Sequence, residues 1–137
     1  MVTCASLMLA ATLLSAAPDT ARWTNDYGLA LTETRQTNRP LLVMLDNPND
    51  PEQAVANSQI KPTGFTASTL QRYHLCRVDV STDYGKEVAK VFRASEFPSA
   101  VIIDPTGRQI IYRRTGRLSD SEWDSILTQY QDGICVT

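Results

Sequence analysis

Histidine is nearly missing from this 137-residue chain, which has one, His74, and the three cysteines stand far apart at Cys4, Cys76 and Cys135. That scarcity leaves no zinc-ligand spacing. Glycine is also sparse, at six residues, and none forms the Gly-rich loop that cradles phosphate or the elbow that presents a nucleophilic serine. There is no excess of positive charge: 13 Lys and Arg against 15 Asp and Glu give a formal net charge of −2, and the pI is near 5.3. A nucleic-acid partner needs a basic footprint, so none is expected. Four arginines crowd positions 108, 113, 114 and 117, where charge on a sheet edge discourages pairing with other strands.

No apolar run is long enough to span a membrane. Residues Met1 to Ala17 carry no charged side chain, and Cys4 to Leu14 is apolar enough for the h-region of an export signal, with Ser15 and Ala17 as small residues before a cleavage point. The expectation is a signal peptide over 1–17 and a periplasmic or secreted product. A basic n-region is missing and Pro18 would hinder cutting, so the alternatives are a first helix of the domain, then cytoplasmic, or a misplaced start codon. The remaining length suits one globular domain with its own core.

What the chain does have is Leu41 to Glu52, LLVMLDNPNDPE. Five consecutive apolar residues, too few for a buried helix, predict a central strand covered on both faces. Asp50 as N-cap, Pro51 at the first helical position and Gln53 three residues after the cap predict a helix starting there. Asn49 to Glu52 would then lie at the carboxyl end of a buried strand, where open α/β sheets place their sites.

In chain order, Trp23, Tyr27, Ala30, Leu31 and Thr34 recur at helical spacing, ending at Arg39-Pro40. A break at Lys61-Pro62-Thr63-Gly64 precedes a short candidate helix from Thr66 to Tyr73. Leu75 to Val80 alternates as a strand, with Cys76, Val78 and Val80 on its apolar side, and pairs parallel to the first by a right-handed crossover. A helix near Asp83 to Arg93 offers Tyr84, Val88, Val91 and Phe92. Ala100 to Ile103 is an apolar strand, and Asp104-Pro105-Thr106-Gly107 predicts a type I turn returning Arg108 to Thr115 as an antiparallel strand. Ser119 and Glu122 form a capping box, Leu118 and Trp123 a hydrophobic staple, and Gly133 suits the exit.

This order resembles a thioredoxin-fold domain over nearly all of Asp19 to Asp132, leaving 133–137 as a tail. The residues that carry the resemblance are the Trp23 helix, the LLVML strand, Val78-Asp79-Val80, the helix ending at Phe92, the segment Phe97-Pro98-Ser99-Ala100-Val101, and Gly116. The resemblance implies an α/β fold with a central mixed sheet of four to five strands and helices on both faces. It also implies that Pro98 is cis and faces Asn49 to Glu52.

Aligned on the strands, Asn49-Asp50-Pro51-Glu52 stands over the family's Cys-x-x-Cys. Disulfide exchange needs an attacking thiolate and a resolving thiol, and neither Asn nor Glu supplies one. The buried acid of many thioredoxins would fall on Val43. No catalytic residue, metal or cofactor is therefore expected. The resemblance points to a noncovalent protein- or peptide-binding or scaffolding module, with Pro48, Asn49, Asp50, Glu52, Phe97 and Pro98 lining a groove in which an extended peptide pairs with Phe97. The acidic pair would favour polar or basic peptides. The alternative is a thiol oxidoreductase or peroxidase relative using Cys76 or Cys135 singly, and in an exported protein those two are candidates for a disulfide. His74 reads as a surface residue. Asp46, Asp50 and Glu52 make only a weak set of hard-cation ligands.

Overall fold

The computed structural model describes residues 22–61 and 66–135. The candidate export signal over 1–17, Cys4, the break at 62–64 and the last two tail residues lie outside the described residues. The elements run β1 (Trp23–Thr24), α1 (Tyr27–Thr37), β2 (Leu41–Asp46), α2 (Asn57–Ile60), α3 (Ala67–Leu70), β3 (His74–Asp79), α4 (Asp83–Val91), β4 (Ser99–Ile103), β5 (Ile110–Thr115) and α5 (Asp120–Gln129).

β2 is the centre, and all six of its residues are buried. The sheet order is β1-β3-β2-β4-β5. β1, β3 and β2 run parallel, while β4 and β5 are each antiparallel to the strand before them in that order. Successive side chains of a strand go to opposite faces, and both faces of β2 are apolar. Leu41, Val43 and Leu45 pack with Ala30 of α1 and with Val88, Ala89 and Phe92 at α4. Leu42 and Met44 pack with Leu70, Tyr73, Trp123 and Leu127 under α3 and α5. The Tyr73 hydroxyl donates to the Leu127 carbonyl at 2.6 Å and ties the α3 side to α5. Local signals terminate the elements as their chemistry dictates. Gly107 N–H donates to the Asp104 carbonyl at 2.9 Å, and the Ser119–Glu122 capping box closes in both directions.

Four expectations are corrected. No helix starts at Asp50: residues 51–54 form turns, and α2 is only four residues long. One cap bond exists, Glu52 N–H to Asp50 Oδ1 at 3.0 Å, but the capping box does not close: Gln53 Nε2 donates to Asp50 Oδ2 at 3.0 Å and the Asp50 N–H donates to the Asn47 carbonyl. Propagation stops because Asp46 captures the Val55 N–H and the Gln53 carbonyl turns back to accept from Asn47 N–H.

Trp23 belongs to β1, paired with Leu75, and α1 begins only at Tyr27 behind the Asp26 cap. On α4, Tyr84 and Val91 are 49% and 68% exposed, and the buried side is Gly85, Val88 and Ala89 with Phe92 just beyond. Tyr84 instead reaches across to accept from the Tyr27 N–H at 2.8 Å. The second strand is His74–Asp79, with Val80 buried just past its end.

Candidate functional site beside Pro98

β2 delivers its last residue, Asp46, into the layer under α3 and α5, on the same face as Leu42 and Met44. The parallel register sets Met44 beside Arg77 of β3. The two charged groups meet there. Arg77 Nε donates to Asp46 Oδ1 at 3.0 Å and Nη2 to Oδ2 at 2.8 Å, while Val55 N–H donates to Oδ2 at 2.9 Å. Asp46 is wholly buried. The hydrogen bond that Arg77 donates to Asp46 outweighs burial and holds its guanidinium above the ordinary range. With its oxygens engaged in this way, Asp46 does not stand as a cation ligand beside Asp50 and Glu52. No group of three or more His, Cys, Asp or Glu side chains suited to a metal occurs among the described residues.

The loop after β2 is fastened at a second point. Arg117 donates through its guanidinium to the Pro51 carbonyl. The Phe97–Pro98 peptide is cis. The Pro98 carbonyl accepts from Gly116 N–H at 2.8 Å, which draws the 116–118 segment against the start of β4.

Between these segments lies a cavity of about 140 Å3, lined by Met44, Val55, Ala56, Gln59, Pro98, Ala100, Gly116, Arg117, Leu118 and Trp123. Its floor is apolar strand and helix. Its rim is held by hydrogen bonds: Gln59 Nε2 donates to the Leu118 carbonyl at 2.9 Å and to Asp120 Oδ1 at 3.0 Å, and Trp123 Nε1 donates to the Gln59 carbonyl at 2.7 Å. A site braced in this way is preformed, as small-ligand and side-chain pockets generally are.

Of the six groove residues expected from sequence, only Pro98 lines this cavity. Phe97 packs its ring on the opposite face, with Tyr27, Leu31 and Ala94 against the α1 and α4 layer. Among the described residues, its N–H and carbonyl make no hydrogen bond. Pro48, Asn49 and Glu52 are exposed and Asp50 half-buried in the turned loop, outside the lining. Sequence reasoning missed Val55, Ala56, Gln59, Arg117 and the Asp46–Arg77 pair. Phe97 and Pro98 precede β4, which begins at Ser99, so the two-residue alternation of a strand does not fix their directions.

No protein-family model matches the chain, and no curated protein does. Solved structures do. A thioredoxin from Thermus thermophilus is similar at 22% identity over 85% of this chain and 92% of that one, with a TM-score of 0.68. Trxlp from Edwardsiella tarda EIB202 is 19% identical over 77% and 98%, with a TM-score of 0.63. A putative disulphide-isomerase from Bacteroides thetaiotaomicron is 16% identical over 84% and 96%, at 0.59. The chain has the thioredoxin fold.

Within this thioredoxin fold the described cysteines lie away from the cavity. Cys76 is buried on β3 among the α1 and α4 contacts, and Cys135 is exposed near the C-terminal end; both are free thiols, so the disulfide weighed above is not formed in this structure. Burial, with a smaller push from Asp26, drives the Cys76 thiol up to about 12. His74, of which only 11% of the side chain is exposed, sits on the first residue of β3 against Thr37, Arg39 and Glu33, not on the open surface. No helix among the described residues is long and apolar enough to cross a membrane.

Proposed function

We propose that this protein is a noncovalent peptide-binding module, exported by its first 17 residues, that holds an extended segment against Phe97 and seats one apolar side chain in the cavity beside Pro98. The observation that carries this reading is the pairing of a preformed cavity of about 140 Å3 with a Phe97 peptide group that has no partner among the described residues. Strand addition supplies the main-chain bonds, and the cavity supplies selectivity. Arg117 at the rim shifts the preference from the basic peptides suggested by Asp50 and Glu52 towards segments with an acidic group beside the anchor. Two features support a function without thiol exchange. Asn49 and Glu52 occupy the positions that the strand alignment assigns to the dithiol, and the Cys76 thiol is buried and held protonated.

Burying one aliphatic or aromatic anchor contributes about 1.5 to 3 kcal/mol. Ala56 is exposed at the mouth, so Ala56→Trp fills the cavity without entering the core. Peptides selected from a random library on the native protein should lose roughly 10- to 150-fold in affinity for Ala56→Trp. Selected peptides that bind both forms equally, or dithiothreitol-dependent insulin reduction at the rate of a true dithiol catalyst, would overturn the reading.

A further inference from the structure

A second cavity, of about 90 Å3, opens where the chain leaves α4 and enters β4, and apart from Ala94 its lining is polar: Arg93, Ser95, Glu96, Ser99, Arg113 and Thr115. It lies on the other side of the sheet from the Pro98 cavity. Ser99 shares a face with Val101 and Ile103, which pack on the α1 and α4 layer, and the antiparallel register sets Thr115 opposite Ser99 and Arg113 opposite Val101. Three hydroxyls and two guanidinium groups therefore converge at one sheet edge.

Five of the six polar lining residues are exposed at the cavity, and one of them is anchored. The Arg113 guanidinium is anchored by one bond to the Phe92 carbonyl at the end of α4. Among the described residues neither Arg93 nor Arg113 has a carboxylate partner, and Ser95 and Thr115 present exposed hydroxyls beside the buried Ser99. Arg93 itself sits at φ +54°, closing α4 with Arg93 N–H to the Lys90 carbonyl at 3.0 Å and Ala94 N–H to the Ala89 carbonyl at 2.9 Å. That is the left-handed position at which helices usually place glycine. An arginine there is unfavourable for the backbone and sets a cation at the cavity.

We propose that this cavity binds a hydrogen phosphate group, as inorganic phosphate or as a phosphomonoester. Two guanidinium groups against the single Glu96 leave the lining positive, and Arg is the side chain suited to forked contact with phosphate oxygens. Donors spread over a helix end and two strands fit a tetrahedral anion better than a planar carboxylate. Glu96 adds selectivity. A protonated oxygen of hydrogen phosphate donates to its carboxylate, as does a phosphomonoester in the singly ionised form it keeps below a second pKa of about 6, whereas sulfate, which has no proton, meets only repulsion.

The test is titration of the full chain with inorganic phosphate, capped phosphoserine and sulfate at constant ionic strength, followed by amide NMR shifts at Ser95, Glu96, Ser99 and Thr115. Saturable shifts with phosphate, with phosphoserine, or with both are expected, and which of them acts identifies the source. Sulfate should bind at least about tenfold more weakly, the scale of one charge-assisted contact, and Glu96→Gln should remove that difference. Arg93→Gly suits the left-handed backbone, so it should raise the melting temperature while weakening phosphate about tenfold. Unsaturable shifts, equal response to sulfate in the native protein, or unchanged phosphate affinity in Arg93→Gly would each overturn the proposal.

Discussion

The Asp46 carboxylate, sealed from solvent, takes both ends of the Arg77 fork at 3.0 and 2.8 Å and the Val55 N–H at 2.9 Å. Three consequences come from this one contact. β2 and β3 are locked at their carboxyl ends, the chain after Asp46 is drawn back on itself, and Val55 is set in the wall of the Pro98 cavity. An ion pair with one member buried this deeply gives little net stability relative to apolar residues, but removing the half-buried Arg77 strands the charge of Asp46.

Arg77→Met is therefore predicted to cost about 3 to 5 kcal/mol, because it leaves an uncompensated carboxylate in the core. Asp46→Asn combined with Arg77→Met removes both charges and keeps an oxygen for the Val55 N–H. The double variant should be more stable than Arg77→Met alone. Urea unfolding of the two single variants and the double measures this, and a double variant no better than Arg77→Met would mean that the charge is not the source of the loss.

The sequence made the sheet legible because its signals are local and agree with one another. Leu41–Leu45 and Ala100–Ile103 are too apolar to be anything but central, the Asp104–Gly107 turn closes on itself, and the Ser119 cap needs nothing beyond Glu122. Asp50 carries equally good local signals. There the outcome is decided by Asp46, whose side chain takes a backbone donor nine residues ahead. Arg77 was unreadable for a related reason. Its partner depends on the register of two strands, and in isolation it is only the polar member of an alternating pair. Tyr84 and Val91 show a third kind of ambiguity: on a nine-residue helix, apolarity does not say which stripe faces inward, and the small residues Gly85 and Ala89 take that place.

Cys76 offers a direct check on the thiol reading. Burial raises its pKa to about 12, so the reactive thiolate is almost absent at neutral pH in the folded chain. Iodoacetamide should modify exposed Cys135 in the native protein and Cys76 only after denaturation. Peptide mapping by mass separates the two, and native labelling of Cys76 at the rate of Cys135 would contradict its burial.

His74 makes stability depend on pH. Burial first, and then Arg39, lower its pKa from the ordinary value, with Glu33 opposing from 3.6 Å. A histidine whose folded pKa is depressed contributes stability that is fully present above the unfolded value, about 6.5, and is lost as pH falls below it through the folded value. The melting temperature of the native protein should therefore drop between pH 7.5 and pH 5 by more than that of His74→Gln. Parallel melting curves for the two would show that His74 gains no proton on unfolding.

Gly85 concentrates the packing of α4 in one position. In an exposed helix interior, Gly→Ala stabilises by roughly 1 kcal/mol through backbone entropy. Here the sign reverses. A Cβ at residue 85 would stand 1.8 Å from the Asp79 carbonyl oxygen and 2.9 Å from Val80 Cα, both backbone atoms at the end of β3. The same helix turn is fixed by its cap, where the Thr82 hydroxyl accepts from Gly85 N–H at 2.9 Å and donates to the Asp79 carbonyl at 2.8 Å. Relief would therefore require the helix to lift from the sheet, pulling Val88, Ala89 and Phe92 out of their contacts with β2 and β3. Gly85→Ala is predicted to cost more than about 3 kcal/mol, in the range of severe core overpacking. Lys86→Ala, on the exposed side of the same helix, should stay within about 0.5 kcal/mol of the native protein. Chemical denaturation of both variants decides it: a neutral or stabilising Gly85→Ala would show that α4 does not rest on the end of β3 at the separation seen here.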